Sequence, residues 1–183
     1  MTVVVVLSLG LGRAMATTMD RGDGTETQDW FKNTSFLDLP EDLAEATGRG
    51  RLFAVVWEQP NCPACDRLHN VNLVKPALKD YVSTNYDIMV LNIFGEVEVT
   101  DFDGQKMPEK KLAVKHKVNF TPTTSIFDGS GKEVFRMPGY FEPFYYLAGF
   151  VYVKTGGHAK PDATFTRWLK ENRPTVEGIY STP

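Results

Sequence analysis

Apolar and polar positions along this chain fall into short continuous runs and helical stripes. Leu52-Phe53-Ala54-Val55-Val56-Trp57 is an unbroken apolar run and predicts a strand buried on both faces. Ile88-Met89-Val90-Leu91-Asn92-Ile93 predicts a second. Between them a helix is expected from Cys65 through Leu68 and His69, with a break around Val71-Asn72. It resumes over 75–86, where Pro76 is tolerated in the first turn and Leu73, Ala77, Leu78, Tyr81 and Val82 form an apolar face. Strand, helix of about 25 residues and strand predict a right-handed crossover with parallel pairing.

Upstream, 41–47 reads as a short acidic helix started by Asp38 or Pro40 and closed by Gly48, with Leu39, Leu43 and Ala46 inward. Downstream, Glu96 to Phe102 alternates cleanly and ends at Asp103-Gly104, which predicts an inserted β-hairpin excursion. A helix follows over 109–117 with Leu112 and Ala113 inward. Next come strands over 120–127 and 133–137 about a glycine-rich turn, an aromatic-rich helix over 143–154 and a last helix over 163–171. Thr, Asp and Gly make 17–34 read as a flexible spacer, and 173–183 reads as a loose tail. The expected domain spans 35–172.

At 183 residues, 42% hydrophobic and 23% charged, the chain suits one soluble domain with a sizeable core. A net charge of −3 without a basic stripe gives nucleic-acid binding no electrostatic support. The apolar run from Val3 to Leu11, followed by Ala14-Met15-Ala16, matches a secretory leader with a small-x-small cleavage site, lacking the usual basic start. Residues 1–16 are therefore expected to be a signal peptide and the mature chain periplasmic or otherwise exported. The Val-rich stretch also suits an N-terminal strand.

The chemistry converges on Cys62-Pro63-Ala64-Cys65, whose cysteines are the only two in the chain. At the opening of a helix this spacing sets the Cα atoms about 5 Å apart, within disulfide range. Unpaired helix N–H groups and the positive end of the helix dipole favour a thiolate at Cys62. Other readings compete. A structural disulfide over so small a loop stabilises little, a zinc site wants about four ligands, and free thiols need no such spacing. Redox cycling fits best, with the Cys62–Cys65 disulfide the sole cofactor and no metal.

Glu58, Cys62-Pro63-Ala64-Cys65, Leu68-His69, Leu91-Asn92-Ile93, Val99 to Gly104, Thr121-Pro122-Thr123 and Gly139-Tyr140 occur in order over 52–169. In these the chain resembles thioredoxin-fold thiol:disulfide oxidoreductases, and among them the periplasmic thioredoxins of the bacterial sulfur-oxidation (Sox) system. The resemblance implies an α/β thioredoxin fold, a central mixed sheet flanked by helices, here with an N-terminal extension and a hairpin insertion. It implies a cis bond before Pro122, lying against the disulfide and leaving the Thr121 backbone open to an extended substrate. A trans proline opening a strand is the plainer alternative. It also implies a buried Asp six residues before the first cysteine, a position held here by Val56. Glu58 is the nearest replacement for that proton acceptor, unless it is a solvated surface carboxylate. His69, four residues after Cys65, is placed to tune proton transfer, though packing or solvation would explain it equally. His158 reads as a surface group, His116 as a surface group or an inward position of its helix, and Trp57 as core.

Pro63-Ala64 puts no charge between the cysteines, which places the couple on the reducing or intermediate side. The expected partners are a client protein disulfide or dithiol and a membrane electron donor, the client of a Sox-type relative being a sulfur-oxidation component. A monomer is expected. Rival readings are a disulfide-forming or isomerising enzyme, a non-catalytic binding module with a static disulfide, and a metal carrier using Cys62, Cys65 and His69.

Overall fold

The computed structural model describes residues 17–162 and 164–182, so the expected leader at 1–16 lies outside the described residues. The central sheet runs in the order β4 (Tyr86–Asn92), β3 (Leu52–Glu58), β7 (Thr123–Phe127), β8 (Glu133–Pro138). Strand β3 lies parallel to β4, pairing Val56 with Val90 and Glu58 with Asn92. On its other side β3 is antiparallel to β7, which is antiparallel to β8.

Alternation along β3 divides the core between the two sheet faces. Phe53, Val55 and Trp57 pack with Leu39 and Leu43 of α1 (Leu39–Gly48) and Leu112 of α4 (Glu109–Lys115). Ala54 and Val56 face the other way. They join Leu78 of α3 (Pro76–Asn85), Leu147 of α5 (Pro143–Lys154) and Trp168 of α6 (Phe165–Tyr180). Helix α1 starts where expected, with Asp38 accepting the Glu41 N–H at 3.0 Å.

Between β3 and α3 the chain forms α2 (Pro63–Arg67) and a π-helical stretch, Leu68–Asn72. The Leu73 N–H donates to the Leu68 carbonyl at 3.0 Å, so the helix widens through Val71-Asn72 before turning into α3. The excursion after β4 is the hairpin of β5 (Glu98–Thr100) and β6 (Lys106–Pro108).

Two stretches differ from expectation. The supposed spacer contains a hairpin of β1 (Thr18–Asp20) and β2 (Glu26–Gln28), with Thr25, Thr27, Gln28 and Phe31 buried. Hydrogen bonds hold its buried hydroxyls: Thr25 Oγ1–H donates to Asp23 at 2.5 Å and Thr27 Oγ1–H to Asn33 Oδ1 at 2.7 Å. The supposed tail is the second half of α6, which runs through Pro174 to Tyr180 and buries Val176 completely.

Candidate active site

Strand β3 ends at Glu58, and a turn with Asn61 at φ +55° delivers Cys62 to the N-cap of α2. The Cys62 backbone is extended there (φ −104°, ψ 97°) and Pro63 opens the helix, where its missing N–H costs nothing. The Cys62 carbonyl accepts from the Cys65 and Asp66 N–H groups at 2.9 and 3.0 Å. Cys62 Sγ also accepts the Cys65 N–H, at 3.1 Å. The two residues are joined in a disulfide with Cα atoms 5.2 Å apart. Cys62 exposes 5% of its surface and Cys65 2%, so Cys62 is the more open sulfur of a recessed pair.

Thr121 lies against this pair, with Pro122 next to it in the chain. Thr121 Oγ1 is 3.5 Å from Cys62 Sγ, and the Thr121–Pro122 peptide is cis. The Gly139 N–H ties down the Pro122 carbonyl at 2.7 Å, with glycine supplying the left-handed φ of +80° needed there. Among the described residues, no main-chain group pairs with the N–H or C=O of Thr121. Pro63, between the two cysteines at the start of α2, is exposed.

Glu58 projects from the sheet face of Ala54 and Val56 and is fully buried, so the solvated reading of it fails. His69, carried by the π-helical stretch, is equally buried, and its Nε2–H donates to Glu58 Oε1 at 2.6 Å. Gln28 Nε2–H donates to His69 Nδ1 at 3.0 Å, and the Glu26 N–H reaches Glu58 Oε2 at 3.4 Å. Both ring nitrogens are thus engaged away from the cysteines, which leaves His69 no free donor for a shared metal. Among the described residues, no group of three His, Cys, Asp or Glu is placed to hold a metal ion. The pair is a carboxylate and an imidazole, both fully buried. Burial raises the neighbouring Glu26 carboxyl; His69 opposes the rise, while Asp66, Glu58 and Asp20 add to it. Tyr146 of α5, hydrogen-bonded to Thr124 at 2.9 Å, is raised above its ordinary range by burial, with Glu58 adding to the shift.

Other expectations divide. Trp57 is fully buried and its Nε1–H donates to Ser125 Oγ at 3.2 Å, as core. His116 is not a surface group: it bonds Asp101 at 2.9 Å and lies 5.6 Å from the Trp57 ring. His158 is likewise half-buried, 6.3 Å from Tyr152. Tyr140 donates to Asn72 Oδ1 at 2.9 Å beneath the Arg67 guanidinium, which fixes α2 to the chain after β8. Sequence reasoning missed Gln28, which sits in a polar stretch that carries no signal. A signal did exist for Glu58, because period two puts it on the same face as Val56.

A family model described as a thioredoxin-like domain matches residues 39–154. A thioredoxin-fold protein from Helicobacter pylori superimposes with a TM-score of 0.58 at 24% identity, covering 71% of this chain and 86% of that one. A thioredoxin from Thermus thermophilus does so with a TM-score of 0.52 at 23% identity, covering 64% and 85%. No curated protein sequence matches significantly. These likenesses concern the fold. The family match spans strand, C-x-x-C helix and Thr121-Pro122 in their proper order, and the chain belongs to the thioredoxin-like domain family, with the Cys62–Cys65 pair of its disulfide oxidoreductases.

Proposed function

We propose that this protein is an exported thiol:disulfide oxidoreductase that reduces disulfides of a client protein. The observation that carries the reading is Cys62 at the mouth of α2, its sulfur accepting the Cys65 N–H at 3.1 Å beside Thr121. A hydrogen bond aimed at that sulfur stabilises a thiolate more than a thiol. In the reduced protein the Cys62 thiolate attacks a client disulfide and forms a mixed disulfide. Cys65 then attacks Cys62, the internal disulfide closes and the client leaves reduced. The free main-chain groups of Thr121 suit an extended client segment, and Pro63 and Pro122 shape its approach. Glu58 and His69 serve the proton transfers.

The reducing direction follows from Pro63-Ala64, which places no positive charge between the cysteines. A membrane electron donor would then restore the dithiol. The leader-like sequence at 1–16 supports export to the periplasm. The motifs shared with Sox-system thioredoxins point to a sulfur-oxidation component as client. The protein acts as a monomer in this reading.

Insulin reduction with dithiothreitol is the test. The wild type is expected to accelerate precipitation of the insulin B chain, and Cys62→Ser to fall to the uncatalysed rate. One observation favours a second reading: the 5% exposure of Cys62 suits a static disulfide in a binding module. A wild type no faster than the control would establish that reading instead. Equilibration in glutathione buffers sets the direction, a potential as oxidising as that of a disulfide-forming enzyme refuting the reductase.

A further inference from the structure

We propose that Gln28, from the N-terminal hairpin, is a positioning residue that sets the charge state of the buried Glu58–His69 pair, and that this pair takes the Cys65 proton when the mixed disulfide is resolved. This inference rests on the oxidoreductase reading and concerns its second step.

Cys65 is 2% exposed and must lose a proton to become a nucleophile, so the acceptor must be internal. His69 lies one helical turn further along and is fully buried with Glu58. A buried carboxylate beside a neutral imidazole carries one uncompensated negative charge, and an incoming proton cancels it. The step then balances. Cys65 gives its proton to the pair while its sulfur attacks Cys62, the Cys62–Cys65 bond forms and the Cys62–client bond breaks. The client sulfur leaves with the electrons of that bond and takes a proton from water, to which the pair later returns its own.

Gln28 is fully buried, and its amide is placed to serve either state of the ring. Its Nε2–H meets His69 Nδ1 at 3.0 Å and also reaches Thr18 Oγ1 at 2.9 Å and the His69 carbonyl at 3.4 Å. Its Oε1 is buried with no partner among the described residues. Such an orphaned acceptor is unusual in a folded core. With Nε2 toward the ring, Nδ1 must be bare and the imidazole neutral. A half-turn of the amide would bring the orphaned Oε1 to Nδ1, where it would accept from the ring N–H of an imidazolium. The Thr18 hydroxyl now donates to Asn70 Oδ1 at 3.2 Å and would turn from that exposed partner to donate to the Gln28 oxygen. Of the other titratable groups, Glu26, whose N–H reaches Glu58, and Tyr146 of α5, on which the Glu58 charge acts, neighbour the pair, while Asp20 and Asp66 act on Glu26. Among them, none donates to Nδ1 or accepts from it. The hairpin lies outside residues 39–154 matched to the family, so the Gln28–His69 hydrogen bond is an addition to the shared domain.

The test follows release of thionitrobenzoate from its mixed disulfide with Cys62, which Cys65 displaces, as a function of pH. Gln28→Glu offers Nδ1 an acceptor only and holds the imidazolium; Gln28→Met offers neither donor nor acceptor and loosens the hairpin comparably. The midpoint of release is expected to lie about one pH unit higher in Gln28→Glu than in Gln28→Met. The pH dependence of Cys62 alkylation by iodoacetamide should coincide in the two. Coincident release profiles, or an equal shift in alkylation, would overturn the proposal. In the unaltered oxidised protein, the ring 15N shifts of His69 are expected to titrate with the midpoint of wild-type release. A ring that keeps one state across that range would also overturn it. Failure of the wild type to release thionitrobenzoate at all would instead bring down the oxidoreductase reading, and this inference with it. Normal wild-type insulin reduction with coincident variant profiles would bring down only the inference.

Discussion

Asp101 is 3% exposed, yet Lys115 Nζ at 2.6 Å, His116 Nε2 at 2.9 Å and the Phe102 N–H at 2.8 Å surround its carboxylate. Burial alone would push this carboxyl up; the hydrogen bonds from Lys115 and His116 outweigh it and hold the group below its ordinary 3.8. A carboxyl whose folded value lies below its unfolded one stabilises the fold fully above the unfolded value and ceases to do so as pH falls through the folded one. Asp101→Asn is therefore expected to cost about 1–2 kcal/mol at neutral pH. In thermal melts its deficit against the wild type should shrink steadily as pH is lowered from about 5 toward about 2. A deficit independent of pH would mean that charge plays no part. Neighbours likewise decide how far single residues were legible. Cys62, Cys65 and Pro122 were marked by spacing and type. Glu58 was marked only by what it replaces, and its burial depends on Gln28 and His69, distant in sequence by 30 and 11 positions.

Among the elements, those held by an apolar stripe were legible and those held by polar contacts were not. Helix α5 matches its expected span of 143–154, because nearly every residue in it faces the core or a neighbouring helix. Strands β1 and β2 have three residues each and bury Thr27 and Gln28, so hydropathy is silent there and hydrogen bonds do the holding. Helix α6 is the instructive case. Phe165, Trp168, Leu169, Val176, Ile179 and Tyr180 keep one face through Pro174 and past 171, where the helix was expected to end. Packing of that face outweighs the missing hydrogen bond. Val176 is fully buried in the core shared with α3 and α5. Val176→Ala is expected to cost about 2 kcal/mol, read as a lower urea midpoint with an unchanged slope. A loss near zero would mean that the last turns of α6 do not belong to the cooperative unit.

At the scale of the molecule, a single sheet organises two cores, and the N-terminal hairpin is a third body set against them. Among the described residues its strands pair only with each other, and an isolated two-stranded hairpin is marginal in water. What fixes it is Phe31 in the core, Gln28 on His69, the Lys32 N–H on the Ile88 carbonyl at 2.8 Å, and Arg21 at 3.8 Å from Glu109. Most of the remaining ties are single polar contacts, such as the Glu26 N–H on Glu58, Thr18 on Asn70 and Lys32 on Asp42, and they predict that the hairpin opens alone, at lower free energy than the sheet, uncovering Glu58 and His69 as it does. Native-state hydrogen exchange distinguishes this from opening by global unfolding. Phe31→Ala weakens packing that both events disrupt, so amides of β1–β2 and of β3 should lose protection equally, by about 3 kcal/mol. Val176→Ala weakens packing that global unfolding alone disrupts, so β3 amides should lose protection while hairpin amides keep theirs. Hairpin amides that follow β3 in both variants would show that the hairpin never leaves without the rest. The Glu58–His69 pair would then be sealed for as long as the protein stays folded.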